Sequence, residues 1–114
     1  MSRSPEDYLQ HILDETEYLL QSSQNLSKED FFKNETLKRA YTRSLEIIGE
    51  ATKNLPDAFK AEHPEISWRR MAGMRDKLIH NYFGVDYDLV WSAIIDEIPH
   101  LKVKIKTILN SKLP

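Results

Sequence analysis

An all-α bundle is the fold class this sequence predicts, and three observations predict it. The 114 residues include only three glycines and five prolines, so long stretches lack the residues that most disfavour a helix. Apolar residues recur at spacings of three and four rather than two. Ser, Asn or Asp stands ahead of several of these runs, where a helix N-terminus gains from a side-chain acceptor. The expected architecture is a single domain over residues 1–114, four main helices with one or two short ones, arranged as an antiparallel four- to five-helix bundle.

The first helix begins at "SPED". Ser4 is placed to cap it, Pro5 suits the first helical position, and Glu6 and Asp7 complement the positive end of the helix dipole. Leu9, Ile12, Leu13, Thr16, Leu19 and Leu20 then form one stripe, which the polar "QSSQNLS" closes. Ser27 opens a short segment, "SKEDFF", that docks Phe31 and Phe32. From Asn34 a longer stripe runs through Leu37, Tyr41, Ser44, Ile48, Ala51 and Leu55. Gly49 within it points to a close backbone approach. "NLP" ends this helix, and "PDAFKAEHP" reads as a short helix stopped by Pro64.

Ser67 is the next cap, with Ile66 and Met71 spaced as a hydrophobic staple. The spacing predicts one helix from Trp68 through Met71, Ala72, Leu78 and Ile79 to about Phe83, stopped by Gly84. Asp86 caps the last helix, with Val85 and Val90 as its staple. Its apolar set is Leu89, Val90, Trp91, Ile94, Ile95, Ile98, Leu101, Val103, Ile105, Ile108 and Leu109. Pro99 should bend it.

Composition bounds function more loosely. With 40% apolar and 30% charged residues, the chain reads as an ordinary soluble protein. Its polar, acidic start is unlike a signal peptide, and no apolar run approaches the ~20 residues of a membrane span. The absence of cysteine excludes disulfides and thiolate metal sites and fits a reducing cytoplasm. Net charge is −2, but residues 1–50 carry 6 basic and 10 acidic groups while residues 51–114 carry 10 and 8. A basic surface is therefore possible near Arg69, Arg70, Arg75 and Lys77; Lys102, Lys104 and Lys106 read as a solvated face.

The chemistry concentrates in "GMRDKLIHNYFGVD", residues 73–86. On a wheel of roughly 100° per residue with Met71 at zero, Arg75 falls near 40°, between Tyr82 near 20° and Trp68 near 60°. A guanidinium in an apolar stripe must reach a carboxylate, a phosphate or water. One structural account pairs it with Glu46 or Glu50. Asp76 and His80, four apart, share another face, so Asp76 could orient the imidazole and raise its basicity. Imidazole suits proton transfer, and guanidinium suits charge developing on a phosphoryl oxygen. Together they suit metal-independent RNA cleavage, in which the RNA's own 2′-OH attacks the adjacent phosphate. Arg75 and His80 lie about 140° apart on a regular helix, so either the helix frays near His80 or a second copy completes the site; the dimer is favoured. From spacing alone Tyr82 is a core residue with its hydroxyl at the rim. His11, Asp14 and Glu15 have helical spacing for a metal, but such sets arise readily by chance, and no metal or cofactor is expected. P-loop, GxGxxG and HExxH patterns are absent.

"RDKLIH" matches the motif of HEPN-superfamily ribonucleases: Arg, a polar residue, three others, then His. With Tyr82 it becomes Arg-x4-His-x-Tyr and resembles the HepT toxin family. "SPEDYLQHILDE", "SLEIIGEATKNLP" and "HPEISWRRMAGMRDKLIHNYFGVDYDLVW" are similar to that family in order and spacing, so the resemblance spans nearly the whole chain. It implies a homodimer with Arg75 and His80 as the catalytic RNase pair and Asp76 in support. It also implies a toxin–antitoxin pairing with a minimal nucleotidyltransferase (MNT-type) antitoxin that transfers AMP to the motif tyrosine, here Tyr82. A nucleotide phosphate beside the cleft would repel RNA. Two alternatives stand beside this reading. One is a non-catalytic partner of a nucleotidyltransferase; the other is a helical dimer whose polar motif is structural.

Overall fold

Ser4 accepts a hydrogen bond from the Asp7 N–H while Asp7 accepts one from the Ser4 N–H, a reciprocal capping box that starts helix α1, Pro5–Ser22. The structure is a computed structural model that describes residues 3–80 and 84–111; the side chains of Arg75, Ile79 and His80 lie outside the described residues. Leu9, Ile12, Leu13, Thr16 and Leu19 are buried along α1, as the stripe requires, while Leu20 is half-buried. Asn25 adopts φ 62°, a left-handed conformation that asparagine tolerates better than most residues, and turns the chain towards α2, Lys28–Lys33. Ser27 caps α2 through Asp30 N–H. Asn34 caps α3, Glu35–Lys53, through Leu37 N–H. Helix α4 spans Asp57–Ala61.

The region after Pro64 departs from the single helix expected up to Phe83. Helix α5, Trp68–Ala72, stops at Gly73, and α6 resumes over Met74–Leu78. Ser67 holds the N-cap position without a side-chain capping bond. Ile79 and His80, after Leu78, are extended. Strand β1, Ile79–His80, pairs antiparallel with β2, Gly84–Val85, with Ile79 opposite Val85 and His80 opposite Gly84. The Asp86 N–H reaches the Leu78 carbonyl at 2.7 Å, taking an acceptor that a continuing helix would have used four residues on. Gly84 sits at φ +79°, a backbone position that glycine adopts without penalty; it shapes this return rather than ending a helix.

Asp86 caps α7, Tyr87–Ser92, through the N–H groups of Asp88 and Leu89. A π-helical turn, Ala93–Glu97, joins it to α8, Ile98–Ser111. Within that turn the Ile98 N–H bonds the Ala93 carbonyl, five residues back. Pro99 has no N–H to give and its ring would crowd the carbonyl of Ile95. The bend expected at Pro99 thus takes the form of a wider turn just before it.

Helix α3 packs on α1, α5, α6 and α7, and α1 also packs on α8. This is an all-α helical bundle with, among the described residues, one two-residue strand pairing at the motif. One contiguous core joins Leu9, Ile12, Tyr41, Leu45, Ile48, Ile94, Ile98 and Ile105, all 0% exposed. At one end Phe31 stacks on Tyr41 with ring centroids 5.4 Å apart and lies 5.2 Å from Trp91. Trp68 is buried, its Nε1–H donating to the carbonyls of Lys60 and His63 at 3.0 and 2.9 Å. The expected apolar set of the last helix is only partly buried. Leu89, Ile95 and Val103 are exposed, because α7 and α8 cover the bundle on one face only.

Candidate active site

Helix α6 carries the motif because its apolar residues fix it from below. Met74 and Leu78 are buried, while Asp76 and Lys77 are exposed; the helix packs on α3 and α7. Gly73 supplies the joint with α5. A Cβ there would meet the Arg69 carbonyl at 3.3 Å, tighter than most side-chain contacts. Arg75 is the second residue of α6, and His80 follows on β1.

That placement agrees with one of the two alternatives the sequence left open, a helix that gives way near His80. The 140° separation between Arg75 and His80 holds for a regular helix, but His80 stands on extended backbone opposite Gly84. A straight helix therefore does not set the angle between the two residues. Tyr82 lies outside the described residues, as do the side chains of Arg75 and His80. Glu46 and Glu50, the carboxylates considered as partners for Arg75, stand 3.5 and 3.6 Å from Arg43 Nη1.

A cleft runs beside the motif helix. Its part next to α6 has a volume of about 130 Å³ and is lined by Met74, Lys77, Leu78, Leu89, Ala93 and Asp96, among others. A second part, about 250 Å³, continues between α5 and the start of α8 and shares Arg70, Met74, Asp96 and Glu97 with the first. Arg70 and Glu97 form an ion pair across it. The floor is apolar and the rim charged, a combination suited to a flat ring carrying a phosphate. Lys77 and Arg69 are exposed. The Lys104 ammonium, on the far side, donates to the Glu65 carbonyl at 2.8 Å.

Sequence reasoning missed the α7–α8 wall of this cleft. Leu89 was expected in the core, and Asp96 and Glu97 drew no attention because neither belongs to a motif. The available signal was their position immediately before Ile98–Pro99, where the proline displaces the ordinary helical turn. Among the described residues no group of three or more His, Asp or Glu is placed to hold a metal ion. No described helix is long and apolar enough to cross a membrane.

Comparison with known proteins agrees with the motif. A protein from Caldanaerobacter subterraneus subsp. tengcongensis, which bears the provisional name of an RNase, is 51% identical over 110 residues, covering 96% of this chain and 98% of its own. A Thermococcus cleftensis protein provisionally named ribonuclease HepT is 49% identical over 104 residues, covering 91% and 94%. One from Methanocaldococcus jannaschii, again provisionally an RNase, is 39% identical over 93 residues, covering 82% and 77%. No solved structure gives a significant match. The profile of the family described as ribonuclease HepT-like matches residues 9–108, and the chain accordingly belongs to the ribonuclease HepT-like family of the HEPN superfamily.

Proposed function

We propose that this protein is the toxin ribonuclease of a toxin–antitoxin pair, an endoribonuclease that cleaves RNA without a metal ion. The supporting observation is the Arg75-x4-His80-x-Tyr82 spacing within a chain matched to a ribonuclease family over residues 9–108. In this reading the RNA 2′-OH attacks the adjacent phosphorus and the bond to the 5′-oxygen breaks. The products are a 2′,3′-cyclic phosphate and a 5′-hydroxyl. His80 moves a proton, taking it from the 2′-OH or giving it to the leaving oxygen. Arg75 stabilises the charge that gathers on the non-bridging oxygens. Asp76 supports the imidazole from the preceding turn. A homodimer would place two such sets at one cleft, giving a general acid and a general base together.

The same reading makes the chain a single domain in the cytoplasm, paired with an MNT-type nucleotidyltransferase antitoxin. AMP transfer to the Tyr82 hydroxyl would place bulk and negative charge beside the catalytic pair, excluding an RNA phosphate. Arg75→Ala and His80→Ala should each lower RNA cleavage by roughly 10²-fold or more and relieve growth inhibition, with thermal unfolding unchanged. Undiminished cleavage by either variant would remove the mechanism. Incubation with the antitoxin and ATP should add AMP units, seen by mass spectrometry, to the wild type and not to Tyr82→Phe. Equal modification of both would remove Tyr82 from this role.

A further inference from the structure

We propose that the cleft beside α6 is a nucleobase subsite that selects guanine next to the cleaved phosphate. The inference rests on the ribonuclease reading and assigns a substrate preference to it.

The cleft combines three features. Leu89, which is exposed, together with the edges of the buried Met74, Leu78 and Ala93, gives an apolar surface on which a flat base can lie. Lys77, exposed on the same helix as Arg75 and without an ion-pair or hydrogen-bond partner among the described residues, stands at the rim. Asp96 lines both parts of the cleft. Its neighbour Glu97 is engaged by Arg70, whereas the Asp96 carboxylate makes no ion pair or side-chain hydrogen bond among the described residues and is exposed to an incoming group.

An unpaired carboxylate is the wrong group to meet a phosphate. Two like charges repel, so the RNA backbone would pass on the Lys77 side and leave Asp96 to the base. A carboxylate accepts hydrogen bonds and donates none. Guanine offers two adjacent donors, its N1–H and N2–H2, which match the two carboxylate oxygens. Cytosine and adenine offer one amine each. Uracil presents a single N3–H between two carbonyls, which a carboxylate repels. The chemistry therefore orders the bases with guanine first and uracil last. Because Met74, Lys77 and Leu78 flank Arg75, Asp76 and the approach to His80, the selected base belongs to a nucleotide adjoining the reacting phosphate.

Binding tests this separately from cleavage. Fluorescence anisotropy would compare labelled trinucleotides that differ only in a central G or U, using the His80→Ala protein so that nothing is cut. The G form should bind roughly tenfold tighter or more, the range of a bidentate pair. Asp96→Asn should abolish that preference. Lys77→Ala should weaken both RNAs alike and reduce the salt dependence by about one phosphate contact. Equal binding of G and U, a preference that survives Asp96→Asn, or no RNA binding at all would overturn the subsite. Cleavage by the wild type without base preference would overturn it while leaving the ribonuclease reading intact. Guanine-selective binding with no cleavage would do the reverse.

Discussion

Tyr41 is 0% exposed, yet its hydroxyl has a partner in Ser22 Oγ at 2.7 Å. Its ring stacks on Phe31 and meets Tyr18 edge-on at 6.1 Å. Burial pushes the Tyr41 phenol above its ordinary pKa of 10.0, the Ser22 hydrogen bond opposes this, and Tyr18 adds slightly to the rise. The folded state thus holds the proton more tightly than the unfolded chain. The stability from this site is fully present below the unfolded value and is lost as pH rises from there through the folded value. Chemical denaturation should therefore show stability falling above about pH 10, and Tyr41→Phe should flatten that fall. The same variant should lose about 1 kcal/mol at neutral pH with the Ser22 bond. A wild-type curve that stays level to strongly alkaline pH would contradict the assignment. The burial of Tyr41 was legible from its place in the α3 stripe. Its partner was not, because Ser22 lies 19 residues away, in a polar stretch that reads as the end of α1.

Helix α6 and the strands after it show where local pattern stops deciding. The caps at Ser4 and Asp86 and the helix starts at Ser27 and Asn34 were legible, because each depends on residues within a turn, whereas Ser67, expected as a cap, makes no side-chain capping bond. The end of α6 was not, because the acceptor at Leu78 is claimed by Asp86 N–H, a contact across a return that periodicity does not encode. Gly84 carries that return. A Cβ there would meet nothing within 4 Å, so a substitution acts on the backbone alone. Gly84→Ala should cost about 1–2 kcal/mol of stability, the penalty for a left-handed residue with a side chain, measured by thermal or urea unfolding. An unchanged midpoint would mean that the His80–Gly84 pairing is not held in solution. Pro99 was read correctly as a disturbance, but its form depends on the core. Leu101, Ile105 and Ile108 anchor α8 from beyond the proline, so accommodation falls on the Ala93–Glu97 turn before it. That wider turn belongs to the stretch that brings Asp96 and Glu97 to the cleft.

At the scale of the whole molecule, the helical bundle and its core could be read from spacing because burial of one apolar face per helix is what the pattern records. The motif was legible as residue types at fixed intervals. The cleft beside it was not, since its walls come from α5, α6, α7 and α8, brought together only by folding. The proposed homodimer predicts a sedimentation mass twice that of one chain, unchanged in His80→Ala; a monomer that cleaves RNA fully would show that one chain suffices. The central claim is metal-independent cleavage through Arg75 and His80. Its most direct test is to incubate the purified protein with RNA in excess EDTA and analyse the new ends. The account predicts 2′,3′-cyclic phosphate and 5′-hydroxyl termini from the wild type, with cleavage lost in His80→Ala. Cleavage that stops on chelation, or that proceeds undiminished in His80→Ala, would contradict it.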